Sequence, residues 1–135
     1  MTEKQNLNFR WQLTHATAGP HRDTVLNALI AHDILGCSDP DSDYHAAVVA
    51  MLGPDADHIS RQYIARLFNT IASLCKGRSY LAQSKVLVHS LQEALKSDVI
   101  DPVGKEHVLA TMQKLSLRQD MQLLMIENGN YYFYF

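Results

Sequence analysis

From Val25 onward, apolar residues recur at intervals of three and four, the period of a helix with one buried face. Val25, Leu26, Leu29, Ile30 and Ile34 form the first set, with Pro20 suited to the opening turn and Gly36 to the stop. Tyr44, Ala47, Val48, Met51 and Leu52 form a second, closed by Gly53-Pro54. Asp57 is placed to cap a long third helix carrying Ile59, Tyr63, Leu67, Phe68, Ile71, Leu74 and Cys75, with Gly77 as its end. A short turn or helix starts at Ser79. Ser84 caps the next helix, with Leu87, Val88, Leu91, Ala94 and Leu95. Asp101-Pro102 reads as a cap followed by a proline at the first helical position, leading into Val108, Leu109, Met112 and Leu115. Ser116 and Gln119 have the spacing of a capping box for a last helix with Met121, Leu124 and Met125, ended by Gly129. The pattern predicts six or seven helices. The aromatic tail is the only segment with strand character.

Two of these helices repeat one pattern. Leu67, Phe68, Ile71 and Leu74 match Val108, Leu109, Met112 and Leu115 at a constant offset of 41 (67 to 108, 74 to 115). Val25, Leu26 and Leu29 precede Leu67, Phe68 and Ile71 by 42. An all-helical period of about 40–47 residues is the mark of armadillo and HEAT arrays. The expected fold is therefore all-α, an armadillo-like right-handed helical solenoid of about two and a half repeats. Residues 1–19, where Phe9, Trp11 and Leu13 alternate, form an N-terminal arm. Residues 20–130 hold the repeats, and residues 131–135 are a truncated or divergent next helix.

The segments "SRQYIARLFNTIASLCKGRSYLAQ" and "VLATMQKLSLRQDMQLLMIENG" resemble the armadillo region of the armadillo repeat-containing protein nine family, and "HRDTVLNALIAHDILGC" is similar to the helix before it. The resemblance runs from about His21 to Gly129. It implies a helical, non-catalytic scaffold acting in cilium assembly or signalling, in the cytoplasm and at the ciliary basal body and centriole. The family's LisH dimerisation segment has no counterpart here, and the family continues through further repeats. The resemblance thus implies a fragment, a short isoform or a shortened paralogue.

Composition agrees with a packed helical domain and removes several classes. Hydrophobic residues make up 47% and charged residues 19%, enough for a core and too little charge for a disordered chain. A net charge of −2 gives no general field to attract nucleic acid or an anionic membrane. The two cysteines, Cys37 and Cys75, form no CxxC pair, so neither a disulfide framework nor zinc is expected. The N-terminus has no apolar signal-peptide core, and "AAVVAML" is far too short to span a bilayer.

Candidate chemistry is sparse. Asp39, Asp41 and Asp43 alternate as in an EF-hand loop, but the sixth and twelfth places hold Tyr44 and Ala50 instead of Gly and Glu. His32, Asp33, Cys37 and His45 are the closest titratable cluster. His32, Asp33 and His45 are the basis of the competing reading, a small helical enzyme or metal-binding protein. No HExxH, P-loop, GxSxG or GxGxxG occurs, and no cofactor is expected. "KGR" at Lys76 to Arg78 suits a helix C-terminus better than a phosphate site. The candidate partner-binding surface is a stripe of Lys85, His89, Gln92 and Lys96, spaced by four, three and four opposite the apolar face. In armadillo folds the third helix of each repeat lines the groove, the role assigned to this helix. It would take an acidic or polar peptide from a protein partner still to be identified. The earlier helix, with His45, Ala46, Val49 and Ala50 on its far side, is expected to be covered on both faces. Tyr131, Tyr132, Phe133, Tyr134 and Phe135 are expected to be partly uncovered, promoting self-association through the C-terminal end or docking onto the last helix.

Overall fold

The computed structural model describes residues 20–128, and within them every regular element is a helix. The order is α1 (Pro20–Ala31), α2 (Asp43–Ala50), α3 (His58–Ala72), α4 (Cys75–Leu81), α5 (Lys85–Lys96), α6 (Pro102–Leu115) and α7 (Gln119–Glu127). The expected N-terminal arm and aromatic tail lie outside the described residues.

Local chemistry sets the starts. Ser42, Asp57, Ser84 and Asp101 each occupy the residue before a helix, with an extended backbone and a side-chain oxygen accepting an orphan amide of the first turn. Ser42 and Ser84 open α2 and α5 at the same 42-residue offset that relates the apolar sets.

Packing follows the repeat. The most extensive helix pair is α3 with α6, the two elements related by 41 positions. α2 packs on α5, α5 on α6, α4 on α3, and α1 on α4. The core contains Leu26, Leu29, Val48, Ile64, Leu67, Phe68, Ile71, Leu87, Leu91, Val108, Met112, Leu115, Met121 and Met125, all buried. Leu74 and Leu109, expected beside them, are half-buried, and Leu74 packs at the rim of this core.

Several expectations change. Gly77 does not end α3. The helix stops at Ala72, only Ser73 and Leu74 intervene, and Gly77 lies inside α4. Cys75 is exposed rather than in the core because it begins α4, after the chain has turned off α3. Ser116 and Gln119 form no capping box: Ser116 is the C-cap of α6 and Gln119 already lies within α7. The residue before α7 is Arg118, which has no side-chain cap bond. α2 is rotated from the expected orientation, with His45 and Val48 inward and Ala46 and Ala50 in solvent, so it is covered on one face. Tyr44 on α2 is correspondingly exposed, at 41%, and Ile59, in the first turn of α3, is exposed at 48%.

The turn after α1 is sealed by side chains from far along the sequence. Asp33 and Gly36 take left-handed backbones, φ 49° and 72°, which Asp tolerates better than most residues and Gly without penalty. Tyr80 on α4 accepts the amide of Leu35 at 3.0 Å and donates to Asp33 Oδ1 at 2.6 Å. His45 Nδ1 meets the Leu35 carbonyl at 2.8 Å, and Nε2 meets Ser84 Oγ at 2.6 Å. A carbonyl only accepts, so Nδ1 carries the proton and Nε2 pairs with a hydroxyl that can serve either role.

Candidate interaction surface

The competing titratable cluster is dispersed by this turn. His45 is fully buried with both ring nitrogens engaged, Asp33 is held by Tyr80, and His32 is exposed. Among the described residues no group of three or more His, Cys, Asp or Glu could hold a metal ion. Of the aspartates of "DPDSD", Asp39 and Asp41 lie in the turn leading to α2, where Asp39 N–H donates to the Gly36 carbonyl and Ser42 supplies the cap, and Asp43 begins the helix.

Cys37 is buried beside Asp33, and desolvation first, then that carboxylate, push its thiol up to about 12 from an ordinary 9.0. Burial likewise raises the Tyr80 and Tyr44 phenols. A group whose folded pKa exceeds its unfolded one contributes its full share of stability below the unfolded value and loses it as pH rises toward the folded one. Stability should therefore decline above about pH 9, as the unfolded chain alone ionises Cys37. In the folded protein at pH 8, a thiol-reactive dye should label exposed Cys75 quickly and Cys37 only on unfolding. Equal labelling of both would contradict the packing around α1.

The predicted stripe on α5 is interrupted. Lys85, His89 and Lys96 are exposed, but Gln92 is 1% exposed and accepts from Asn128 Nδ2 at 2.6 Å at the end of α7. The C-cap residue of α7 thus reaches this side of α5, which the α5 sequence alone gives no reason to expect. "KGR" also lies elsewhere than proposed: it falls in the first turns of α4, and Arg78 Nη1 reaches back to the Ala72 carbonyl at 3.0 Å. The cation still serves a helix C-terminus, that of α3.

A second polar stripe, missed in the sequence, has the same spacing of four, three and four. Gln62, Arg66, Asn69 and Ser73 lie opposite the core face of α3, and all bond to α6 or to its cap residue Asp101. Gln62 donates to Asp101, Arg66 Nε to His107 Nε2 at 3.3 Å, and Lys114 Nζ to Asn69 Oδ1 at 2.6 Å and Ser73 Oγ at 3.3 Å. Asn69 Nδ2 meets His107 Nδ1 at 3.1 Å. The stripe is half-buried along its length. Lys114 has a lowered pKa, first from desolvation and then from the positive charges of Arg22 and Arg78. The spacing along α3 was the available signal. What the sequence did not show was that α6 lies against the polar side of α3 and assembles the stripe into a surface.

Among the described residues these features define an all-helical protein in which two helices related by 41 positions pack side by side and share a polar surface. The comparisons agree with the resemblance read from the sequence: over nine-tenths of its length the chain is similar to LisH domain-containing protein ARMC9. It is 42% identical to that protein of Bos taurus and of Homo sapiens, and 43% identical to that of Danio rerio, each over 121 residues and 90% of this chain. The chain spans only 14–18% of the length of these curated relatives. No family model matches. No solved structure matches.

Proposed function

We propose that the chain is a non-catalytic protein-interaction module whose helices form an armadillo-like, right-handed solenoid. The observation that carries this reading is the side-by-side packing of α3 and α6, the two helices related by 41 positions, with an ordered polar seam between them. Stacked helical units bury their apolar faces against neighbours and leave elongated surfaces for partners. The relatives' name refers to a LisH domain, and the resemblance implies work at the ciliary basal body; we extend that placement to this chain. The enzyme alternative loses its support because His45, its central residue, is a buried link between α2, the Leu35 carbonyl and α5.

The test is recovery of partners from ciliated cells by the full chain and by two charge-reversed variants, Arg66→Glu and the double variant Lys85→Glu/Lys96→Glu. A specific partner set lost with either variant, at unchanged melting temperature, is the expected outcome and locates the surface. Recovery unaffected by both would return the two stripes to ordinary solvated faces and overturn the reading.

A further inference from the structure

Resting on the reading as an array of helical units, we propose that residues 129–135 of this chain dock across α5 and seat an aromatic ring between α5 and α6, against Leu95 and Leu109. Register is the first ground. Ser42 and Ser84 relate α2 to α5 by 42 positions, and α2 packs on α5. A further step of 42 carries the span of α2 to 127–134 (43 to 85 to 127, 50 to 92 to 134). The stretch "ENGNYYFY" thus stands to α5 in sequence as α5 stands to α2. The sides of α5 are divided to match. Ser90, Glu93 and Ala94 share a groove with Val49 and Ala50 of α2. Gln92 and Leu95, one turn apart, lie around the helix from Ser90 and Glu93.

An orphaned donor is the second, independent ground. Asn128 Nδ2 donates to Gln92 Oε1, so the chain leaves α7 beside α5. Gln92 is 1% exposed, and its Nε2 is buried without a partner. Buried donors are rarely left unserved, because the desolvation cost is then not recovered. Every residue beyond Asn128 brings a backbone carbonyl able to accept from it.

The third ground is a receiving groove. Leu95 of α5 with Pro102, Lys105, Glu106 and Leu109 of α6 line a groove of about 350 Å³. Leu95 lies about 4.5 Å along the helix from Gln92. Seven residues follow Asn128, and when extended they reach about 23–25 Å, so the rings of "YYFYF" come within range. The lining suits them. A ring packs on Leu95, Pro102 and Leu109, and a tyrosine hydroxyl meets Lys105 or Glu106 at the edge.

The experiment is leucine-methyl NMR on the monomeric full chain. Nuclear Overhauser contacts should join the rings of residues 131–135 to the Leu95 and Leu109 methyls. Those methyls should shift when Tyr131→Ser, Tyr132→Ser, Phe133→Ser, Tyr134→Ser and Phe135→Ser are introduced together, while the Leu67 and Leu115 methyls of the core stay in place. The contacts are read on the parent chain, so they decide even where the substituted chain does not fold. Mixing labelled with unlabelled chains identifies the occupant. Contacts within one chain are expected, whereas contacts between chains would give the groove to a second copy and overturn the proposal. Absence of contacts, or unmoved Leu95 and Leu109 methyls in a folded substituted chain, would overturn it as well. These results leave the module reading to its own test of partner recovery.

Discussion

Gly77→Ala is expected to be the most damaging single-methyl change in the chain. A Cβ at this position would lie 1.7 Å from the Ile71 carbonyl oxygen and 2.7 Å from its carbon, both backbone atoms of α3. A flexible side chain could swing away, but a helix backbone cannot without shifting the helix. The cause is the shortness of the junction. Ser73 and Leu74 alone separate α3 from α4, whereas Ser116, Leu117 and Arg118 separate α6 from α7. The tighter turn brings the first turn of α4 onto the end of α3, and only a residue without a side chain fits there. Overpacking of this kind costs about 3 kcal/mol or more. Melting followed by circular dichroism should show the loss, along with a lower soluble yield. A melting temperature equal to the parent's would mean that the α3–α4 junction is wrongly described.

Phe68→Ala should come next. Phe68 is fully buried in the face of α3 that also carries Ile64, Leu67 and Ile71. Removing the ring deletes its transfer free energy and leaves a cavity that the flanking helices can fill only in part. The expected cost is about 3–5 kcal/mol. Urea unfolding should show a lowered midpoint with an unchanged slope. A loss below about 1 kcal/mol would place Phe68 outside the core.

Both predictions concern α3, and the sequence was unequally informative about the two. The amphipathic period showed which side of α3 is buried through Leu67, Phe68 and Ile71, although Ile59 proved exposed and Leu74 and Cys75 lie beyond the helix. The caps Asp57, Ser84 and Asp101 were equally legible, since each carries its own local mechanism. Gly77 misled because a glycine after a helical run usually ends a helix, and nothing local distinguishes a stop from a close approach between two backbones. The orientation of α2 was hidden for a related reason. A helix of small residues has a weak apolar side, and the buried hydrogen bonds of His45 to Leu35 and Ser84 decided its rotation instead. The α3–α6 surface was half legible: its α3 residues have stripe spacing, but their partners lie about 40 positions away. Gln92 shows the reverse case, a stripe residue withdrawn from solvent by Asn128, 36 positions further on.

The seal on the turn after α1 also bears on the order in which the chain can fold during its synthesis. Helical arrays ordinarily gain their contacts from adjacent units, so each stretch can settle soon after it is made. Here the amide of Leu35 waits for Tyr80, 45 residues later, and His45 waits for Ser84, 39 residues later. At about 5–20 residues per second, the ribosome takes roughly 2–9 s to deliver those partners. Until then the Leu35 amide and His45 Nε2 have no native partner, although His45 Nδ1 can already meet the Leu35 carbonyl. α1 and α2 therefore emerge as a provisional segment, and the arrival of α4 and α5 completes it.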